Sequence, residues 1–246
     1  MDSRIGRLYP STKFAFMILI ILLTMFTPGY KLQYMVLPLI LITSMFSGTA
    51  ANFLSTFMKS IFILVLFIFI LQVFIIVNDD SEKIWGFIHF SQMGFMTSLS
   101  MTSKIVAISS SIIWFFQVTA VKDIIYALEK SGISKKVTFV IASTIQLIPQ
   151  MINLSKTITD AQKSRGIETD GKLFVRLKAF VPMIGPLVLS SIQQTEERVL
   201  ALESRDFSSM AKKTSIYELK KQTADYMIIM LCVVILIGYL VWRLQS

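Results

Sequence analysis

Ser60–Val77 reads SIFILVLFIFILQVFIIV, a run of eighteen residues in which only Ser60 and Gln72 are polar. A helix apolar on every side belongs inside a large core or inside a membrane. A bilayer core takes about 20 mostly apolar residues as a helix, with a range of roughly 17 to 25. The run therefore predicts an all-α integral membrane protein. Composition agrees: the 246 residues are 54% hydrophobic, with a mean hydropathy of +0.68. Only 16% are charged, against roughly 25% in soluble domains.

Working outward, the same measure predicts about five transmembrane helices. Lys13–Thr27 with its flanks is the first, ended by the turn signal Pro28-Gly29. Leu32–Phe46 is the second, and Phe53–Val77, closed by Asn78-Asp79-Asp80, is the third. A fourth lies between about Gly94 and Val118, with Ser-rich turns suited to close helix packing. The last runs from about Tyr226 to Trp242. Basic residues before the first span resemble the start of a signal peptide, but no small-x-small cleavage site follows, so the span reads as retained. Cys232, the single cysteine, can form no internal disulfide and reads as a packing residue.

Charge orients these spans. The formal net charge is +9, which in a soluble protein would raise nucleic acid as a partner. No aromatic residues interleave with the basic ones as a stacking platform requires, so nucleic acid is set aside. Sixteen of the 24 Lys and Arg fall within Thr119–Ala224. The positive-inside rule puts this segment on the cytoplasmic side, along with Arg4, Arg7, Lys13 and the amino terminus. Asp79, Asp80 and Glu82 then fall outside, as does the carboxyl terminus. The layout is a four-helix membrane region at 1–118, a cytoplasmic helical segment at 119–224 and a last transmembrane helix at 225–246. Within the middle segment Val137–Ile152 and Phe180–Ile192 are apolar but shorter than a comfortable span, which favours buried or interfacial helices. If both spanned instead, the parity would hold and Arg165 would move outside.

The most charged region repeats a short pattern. AQKSRG (Ala161–Gly166) is matched by ALESRD (Ala201–Asp206) forty residues later. Leu154, Ile158, Ala161 and Arg165 form one stripe of a helix. Gly166 follows at the left-handed position just past its end, where Arg165 also complements the helix dipole. In the second copy Ala201, Ser204 and Arg205 again share a face, but Asp206 replaces Gly, which predicts a different or weaker cap. One such Arg would read as a helix cap or a contact to lipid phosphate. Two copies in one segment favour two helix ends presented to two similar surfaces, as in a dimer. Small residues let such an end sit deep in a groove, and Arg makes bidentate contacts to carboxylates there.

Catalytic readings find little. His89 is the single histidine, so no zinc-binding pair exists. No Gly-x-Ser-x-Gly elbow occurs. GIETDGKL (Gly166–Leu173) fits Gly-x4-Gly-Lys but places Leu173 where a P-loop needs Ser or Thr, and no strand precedes it. It reads as a turn between helices, and the chain is expected to bind no cofactor and to hydrolyse no ATP. A membrane-embedded lipid-modifying enzyme would need clustered polar residues at membrane depth, and Lys59, Gln72, Lys104 and Gln117 share no motif spacing. A stand-alone transporter would show repeated halves with broken helices, whereas the repeat seen is the short cytoplasmic one.

The two motifs resemble the paired Ala-x-x-Ala-Arg-Gly-like elements of a known family, the transmembrane T components of energy-coupling factor (ECF) transporters, importers of the ABC class. LIPQMINLSKTITDAQKSRG resembles the family's Pro-containing helix leading into its first motif, and VPMIGPLVLSSIQQTEERVLALESRDF the longer approach to the second. RLYPSTK is similar to the family's Leu-Asp-Pro-x-x-Lys, keeping Leu8, Pro10 and Lys13 with Tyr9 in place of Asp. Ser164 and Ser204 stand for the family's usual Ala, and Asp206 for its Gly. The resemblance implies that residues 119–224 are coupling helices of a non-catalytic subunit for vitamin or metal uptake. Ala161, Ser164, Arg165 and Gly166, with Ala201, Ser204, Arg205 and Asp206, would dock on two cytoplasmic ATPases, a homodimer or two different subunits, which hold the ATP and magnesium. A small membrane S component would bind the substrate. It would rest on Ile141, Ile145, Ile148, Pro149, Ile152, Pro182, Ile184, Leu187 and Leu189. The bilayer is the remaining partner.

Overall fold

The computed structural model describes residues 5–6, 8–76, 82–85, 88–168, 171–207, 209, 219 and 221–245. Its elements run α1 (Pro10–Phe26), α2 (Lys31–Ser47), α3 (Ala50–Phe57), α4 (Ile63–Ile70), β1 (Glu82–Trp85), β2 (Ile88–Phe90), α5 (Gln92–Val118), α6 (Val121–Lys130), α7 (Lys135–Ser164), α8 (Leu173–Ser204) and α9 (Thr223–Gln245). A π-helical stretch at Met58–Phe62 joins α3 to α4 and a second at Leu71–Ile75 extends α4, giving one helix, Ala50–Ile75, which carries most of the apolar run that sets the class. The fold is all-α apart from a small antiparallel ribbon, with Glu82 opposite Phe90 and Lys83 opposite His89. His89 thus belongs to β2, before the fourth long apolar segment begins. Asp79 and Asp80 lie outside the described residues.

Among the described residues five helices are long and apolar enough to cross a bilayer: Ala50–Ile75, Gln92–Val118, Lys136–Ser164, Leu173–Ser204 and Thr223–Arg243. The number agrees with the sequence reading, but the set differs. α1 and α2 have 17 residues each, about 26 Å of helix at 1.5 Å per residue. That is the lower end of the range for a span. Val137–Ile152 and Phe180–Ile192 are no separate short helices, because each lies inside a helix of 30 or 32 residues. Strong helix formers such as Lys, Gln, Glu and Ala carry both helices on beyond their apolar windows.

Packing divides the chain into two units, Met1–Ser131 with Leu219–Ser246, and Gly132–Glu218. In the first, α5 is the hub. Its most apolar window is 44% buried, against 6% for Ala50–Ile75. Ser98, Thr102, Ser103, Ser110 and Ser111 line the buried side of α5. Lipid tails are as apolar as Leu, so helices in a bilayer associate through close packing and interhelical hydrogen bonds. Ser103 donates to Gln33 Oε1 at 2.6 Å, and Gln33 Nε2 donates to the Thr27 carbonyl at 2.9 Å. The Tyr34 and Thr102 hydroxyls meet at 2.7 Å. Such bonds contribute about 0.6 kcal/mol each in membranes. Ile20, Ile40, Phe53, Phe57, Val106 and Trp114 fill the space between.

The start of α1 is held from a distance. Pro10 occupies its first turn, where a missing N–H costs nothing. Tyr9 at the N-cap supplies no side-chain bond. Instead the wholly buried Asp225, in the first turn of α9, accepts from Tyr9 N and Thr12 Oγ1, both at 2.9 Å. Its other oxygen accepts from Gln222 N at 2.8 Å. A carboxylate at a helix N-terminus is also favoured by the dipole. Lys13, 1% exposed, donates to the carbonyls of Gly6 at 2.9 Å and Val118 at 3.2 Å. The lysine of RLYPSTK thereby ties the last residue of α5 to α1, and Cys232 is buried and free on α9.

The second unit is an antiparallel hairpin of α7 and α8. Ser134 caps α7 by accepting from Val137 N at 3.4 Å. Along the pair Gln162 meets Pro182, Thr159 meets Met183, Ser191 meets Met151 and Arg198 donates to Gln150. Ile158 and Ala179 are buried in the seam. At the far end the rings of Phe139 and Phe207 lie 4.5 Å apart.

Candidate functional site

Both repeated motifs end a helix, and they end it in the same way. At the first, Gly166 takes φ +85, its N–H donates to Lys163 O at 2.9 Å, and Ile167 N–H donates to Gln162 O at 3.0 Å. At the second, Asp206 takes φ +56, its N–H donates to Glu203 O at 2.9 Å, and Phe207 N–H donates to Leu202 O at 3.0 Å. This pair of bonds is the Schellman arrangement, which satisfies carbonyls that a helix end leaves orphaned. The expectation of a different cap in the second copy is corrected: Asp206 adopts the left-handed backbone and makes the same bonds. Asp is among the few residues besides Gly that enter this region readily, because its short polar side chain bonds locally.

The serines that replace Ala change little in shape. Ser164 Oγ donates back to Asp160 O at 3.1 Å, and Ser204 Oγ to Ala201 O at 3.0 Å, so each hydroxyl is satisfied on its own helix. Ala161, Ser164, Arg165 and Gly166 are exposed, and so are Ala201, Ser204, Arg205 and Asp206. Below them the apolar Ile167 and Phe207 are half-buried. Among the described residues neither guanidinium is in an ion pair. Each tip therefore offers a small-residue face and one planar fork of donors to whatever sits against it.

Placement of the tips is a matter of the hairpin. Because α7 and α8 run antiparallel, Arg165 and Arg205 stand at opposite ends of the unit. A helix of about 30 residues is roughly 45 Å long.

One residue joins the first tip to the middle of α8. Pro186 has no N–H, so the Pro182 carbonyl one turn earlier has no helical donor. Gln162, 6% exposed, donates to that carbonyl at 3.4 Å. The backbone carbonyl of the same Gln162 accepts from Arg165 and Ile167 and forms the cap. Gln162 escaped the sequence reading because it looks like one more polar residue before the motif. A proline pair at i and i+4 in the neighbouring helix was the available signal.

The nine expected platform residues lie on this hairpin. Ile145, Ile148, Pro149, Ile152, Pro182, Ile184 and Leu189 are exposed, while Ile141 and Leu187 are half-buried. Leu187 faces the seam beside Ile158 and Met183. Among the described residues the most exposed apolar side chains are Leu173 at 78% and Phe174 at 79%, neither of them among those nine. They sit among Lys172, Arg176 and Lys178 and looked like part of a charged turn. Phe174 and Ile167 line a pocket beside the first tip, with Ala179 and Pro182. The GIETDGKL near miss is a helix-to-helix connection, with α7 before it and α8 starting at its last residue.

Comparison with known proteins bears on the whole chain. A family model described as CbiQ, cobalt transport protein, matches residues 1–216. An energy-coupling factor transporter transmembrane protein EcfT of Acidaminococcus fermentans is 25% identical over 259 residues, covering 100% of this chain and 95% of that protein. EcfT of Staphylococcus aureus is 25% identical over 234 residues, covering 92% and 87%. EcfT of Clostridium kluyveri is 24% identical over 246 residues, covering 96% and 91%. The family match takes in every helix from α1 to α8 together with both tips, and on that extent of likeness the chain belongs to the CbiQ family, transmembrane components of energy-coupling factor transporters.

Proposed function

We propose that this chain is the energy-coupling subunit that carries the motion of two cytoplasmic ATPases to a substrate-binding S component, for uptake of a vitamin or metal ion. The observation that carries the reading is the pair of identically capped, exposed Ser-Arg helix ends at opposite ends of one hairpin. Two separated copies of one surface suit two separated copies of a groove, as a dimer presents them. The relatives' name, energy-coupling factor transporter transmembrane protein, supports the same role. The basic content of residues 119–224 supports a cytoplasmic position for this segment and for the amino terminus.

In this reading Arg165 and Arg205 anchor the tips to acidic groups in the ATPase grooves, and ATP and magnesium reside on the ATPases. The exposed apolar faces of α7 and α8, with Leu173 and Phe174 added, support the S component. A conformational change needs interaction energies that differ between two states. The tips stay docked while the grooves close and open, so the hairpin between them takes up the change. Pro149, Pro182 and Pro186 interrupt its hydrogen-bond ladders midway, where helices bend. Gln162 links the first tip to that region.

The test is a pull-down through a tag from gently solubilised native membranes, comparing the wild type with the Arg165→Ala, Arg205→Ala double variant. Two ATP-binding subunits and a small membrane protein should accompany the wild type. The ATPases should be lost from the double variant while the small membrane protein is retained. ATPases that stay bound to the double variant would refute the anchoring role.

A further inference from the structure

Lys104 stands at mid-bilayer depth without a partner. It is the thirteenth of the 27 residues of α5, so the two ends of the helix lie roughly 18 and 21 Å away along its axis. In a hydrocarbon core about 30 Å thick, its four-carbon stem is too short to carry the ammonium to either boundary. Lys59 is nearer one, nine residues and roughly 14 Å from the start of Ala50–Ile75. Lys104 is half-buried and makes no hydrogen bond or ion pair among the described residues. Thr97 and Ser100, seven and four residues earlier, share its side of the helix. Both are half-buried as well, and Met93 and Met101 beside them are exposed. The strip thus borders the side of α5 that Thr102 and Ser103 pack against α2.

A cation at this depth is costly unless something pairs with it. The fifteen Asp and Glu of the chain leave no candidate. α1, α2, Ala50–Ile75 and α5 contain none. Asp225, the acid of α9, holds the start of α1. Asp160, Glu196, Glu197 and Glu203 lie in the polar stretches of α7 and α8, beyond their apolar windows. Asp2, Asp79, Asp80, Glu82, Asp123, Glu129, Glu168, Asp170, Asp206 and Glu218 all fall, in sequence, outside the apolar helices. A second copy of the chain would bring another lysine and no carboxylate, and lipid phosphates stay at the boundaries. What fits is a different membrane protein with an Asp or Glu at mid-bilayer. Resting on the S component proposed above, we propose that the Thr97–Ser100–Lys104 strip of α5 is a contact for that subunit and takes a carboxylate from one of its membrane helices. Ser100 is small enough to let a helix approach closely. The pairing also selects, because a neighbour without an acid at that depth leaves Lys104 unpaired.

A photoreactive benzoylphenylalanine in place of Met101, 51% exposed and three residues from Lys104, tests this in native membranes. After illumination the attached peptide is identified by mass. It should come from the small membrane protein and carry an Asp or Glu within two turns of the attachment point. Adding Lys104→Glu should lower the crosslinked yield about tenfold through like-charge repulsion, and Lys104→Arg should retain it. Lys104→Met, which suits hydrocarbon better than Lys does, should also lower the yield and serves if the Glu chain fails to assemble. Replacing the identified acid of the partner by Lys should restore the yield of Lys104→Glu, an outcome that a purely structural role for Lys104 does not produce. Attachment to lipid alone, a captured peptide without an acid, or a yield indifferent to Lys104→Glu and Lys104→Met overturns the inference. If a tag pull-down of the unmodified chain still brings the small membrane protein, the coupling reading survives that failure; if it brings none, the coupling reading falls with it.

Discussion

Gly166→Ala separates the geometry of the tip from its chemistry. A Cβ at Gly166 would meet nothing within 4 Å, so the substitution introduces no clash. The cost is the backbone at φ +85, about 1–2 kcal/mol for an L-residue in the left-handed region. Ala also restricts the unfolded chain, which returns roughly 0.4–1 kcal/mol. The net is about 1 kcal/mol against the cap, a factor of roughly five in its local opening. Amide hydrogen exchange reads this directly, because Ile167 N–H is held by Gln162 O. Exchange at Ile167 should speed up about fivefold while the middle of α7 stays unchanged. Asp206→Gly works on the same balance from the other side, but Asp enters the left-handed region at less cost than Ala because its short polar side chain bonds locally, and that smaller relief is offset by the larger chain entropy of Gly. Exchange at Phe207 should therefore shift by less than about twofold. Unchanged exchange at Ile167 in Gly166→Ala would refute the argument. So would a tenfold slowing at Phe207 in Asp206→Gly, because it would mean that the second cap is strained rather than equivalent.

Two further outcomes follow from buried polar groups. Gln162→Leu removes the donor to Pro182 O and leaves that carbonyl without a partner, at a cost of about 1 kcal/mol in a partly buried setting. Docking of the ATPases should persist while uptake per ATP hydrolysed falls, and an unchanged ratio would remove Gln162 from the coupling path. Asp225→Ala deletes the acceptor of three hydrogen bonds and exposes the start of α1 to an unsatisfied end. A loss of about 3 kcal/mol is expected from breaking such a buried network. It would appear as a lowered midpoint of thermal unfolding in detergent, with Asp225→Asn intermediate, and an unchanged midpoint would count against the capping role.

Much of the fold is legible in the sequence because a bilayer leaves few options. Ser60–Val77 has one stable conformation at membrane depth, a helix, since every backbone group must be satisfied within the segment. The motif tips are legible for a related reason: a left-handed residue after a helical stripe is a local event. Asp206 shows the limit of that logic. Its identity argued for a different cap, yet the helix-end hydrogen bonds impose the same backbone on Asp as on Gly. The lengths of α7 and α8 were hidden because apolar windows mark where a helix meets lipid or a partner, and say nothing of where its polar ends stop.

Sequence by itself determined the class and the repeated pair of Ser-Arg ends, because both are set by residue type and spacing over a few turns. Tertiary structure alone decided that the two ends stand at opposite ends of one antiparallel hairpin. It also decided that Gln162 serves both a cap and a proline-freed carbonyl, and that Asp225 reaches across more than two hundred residues to hold Tyr9. These are pairings between residues far apart in the chain. No local propensity encodes such a pairing, since it depends on which helix the folded chain brings alongside.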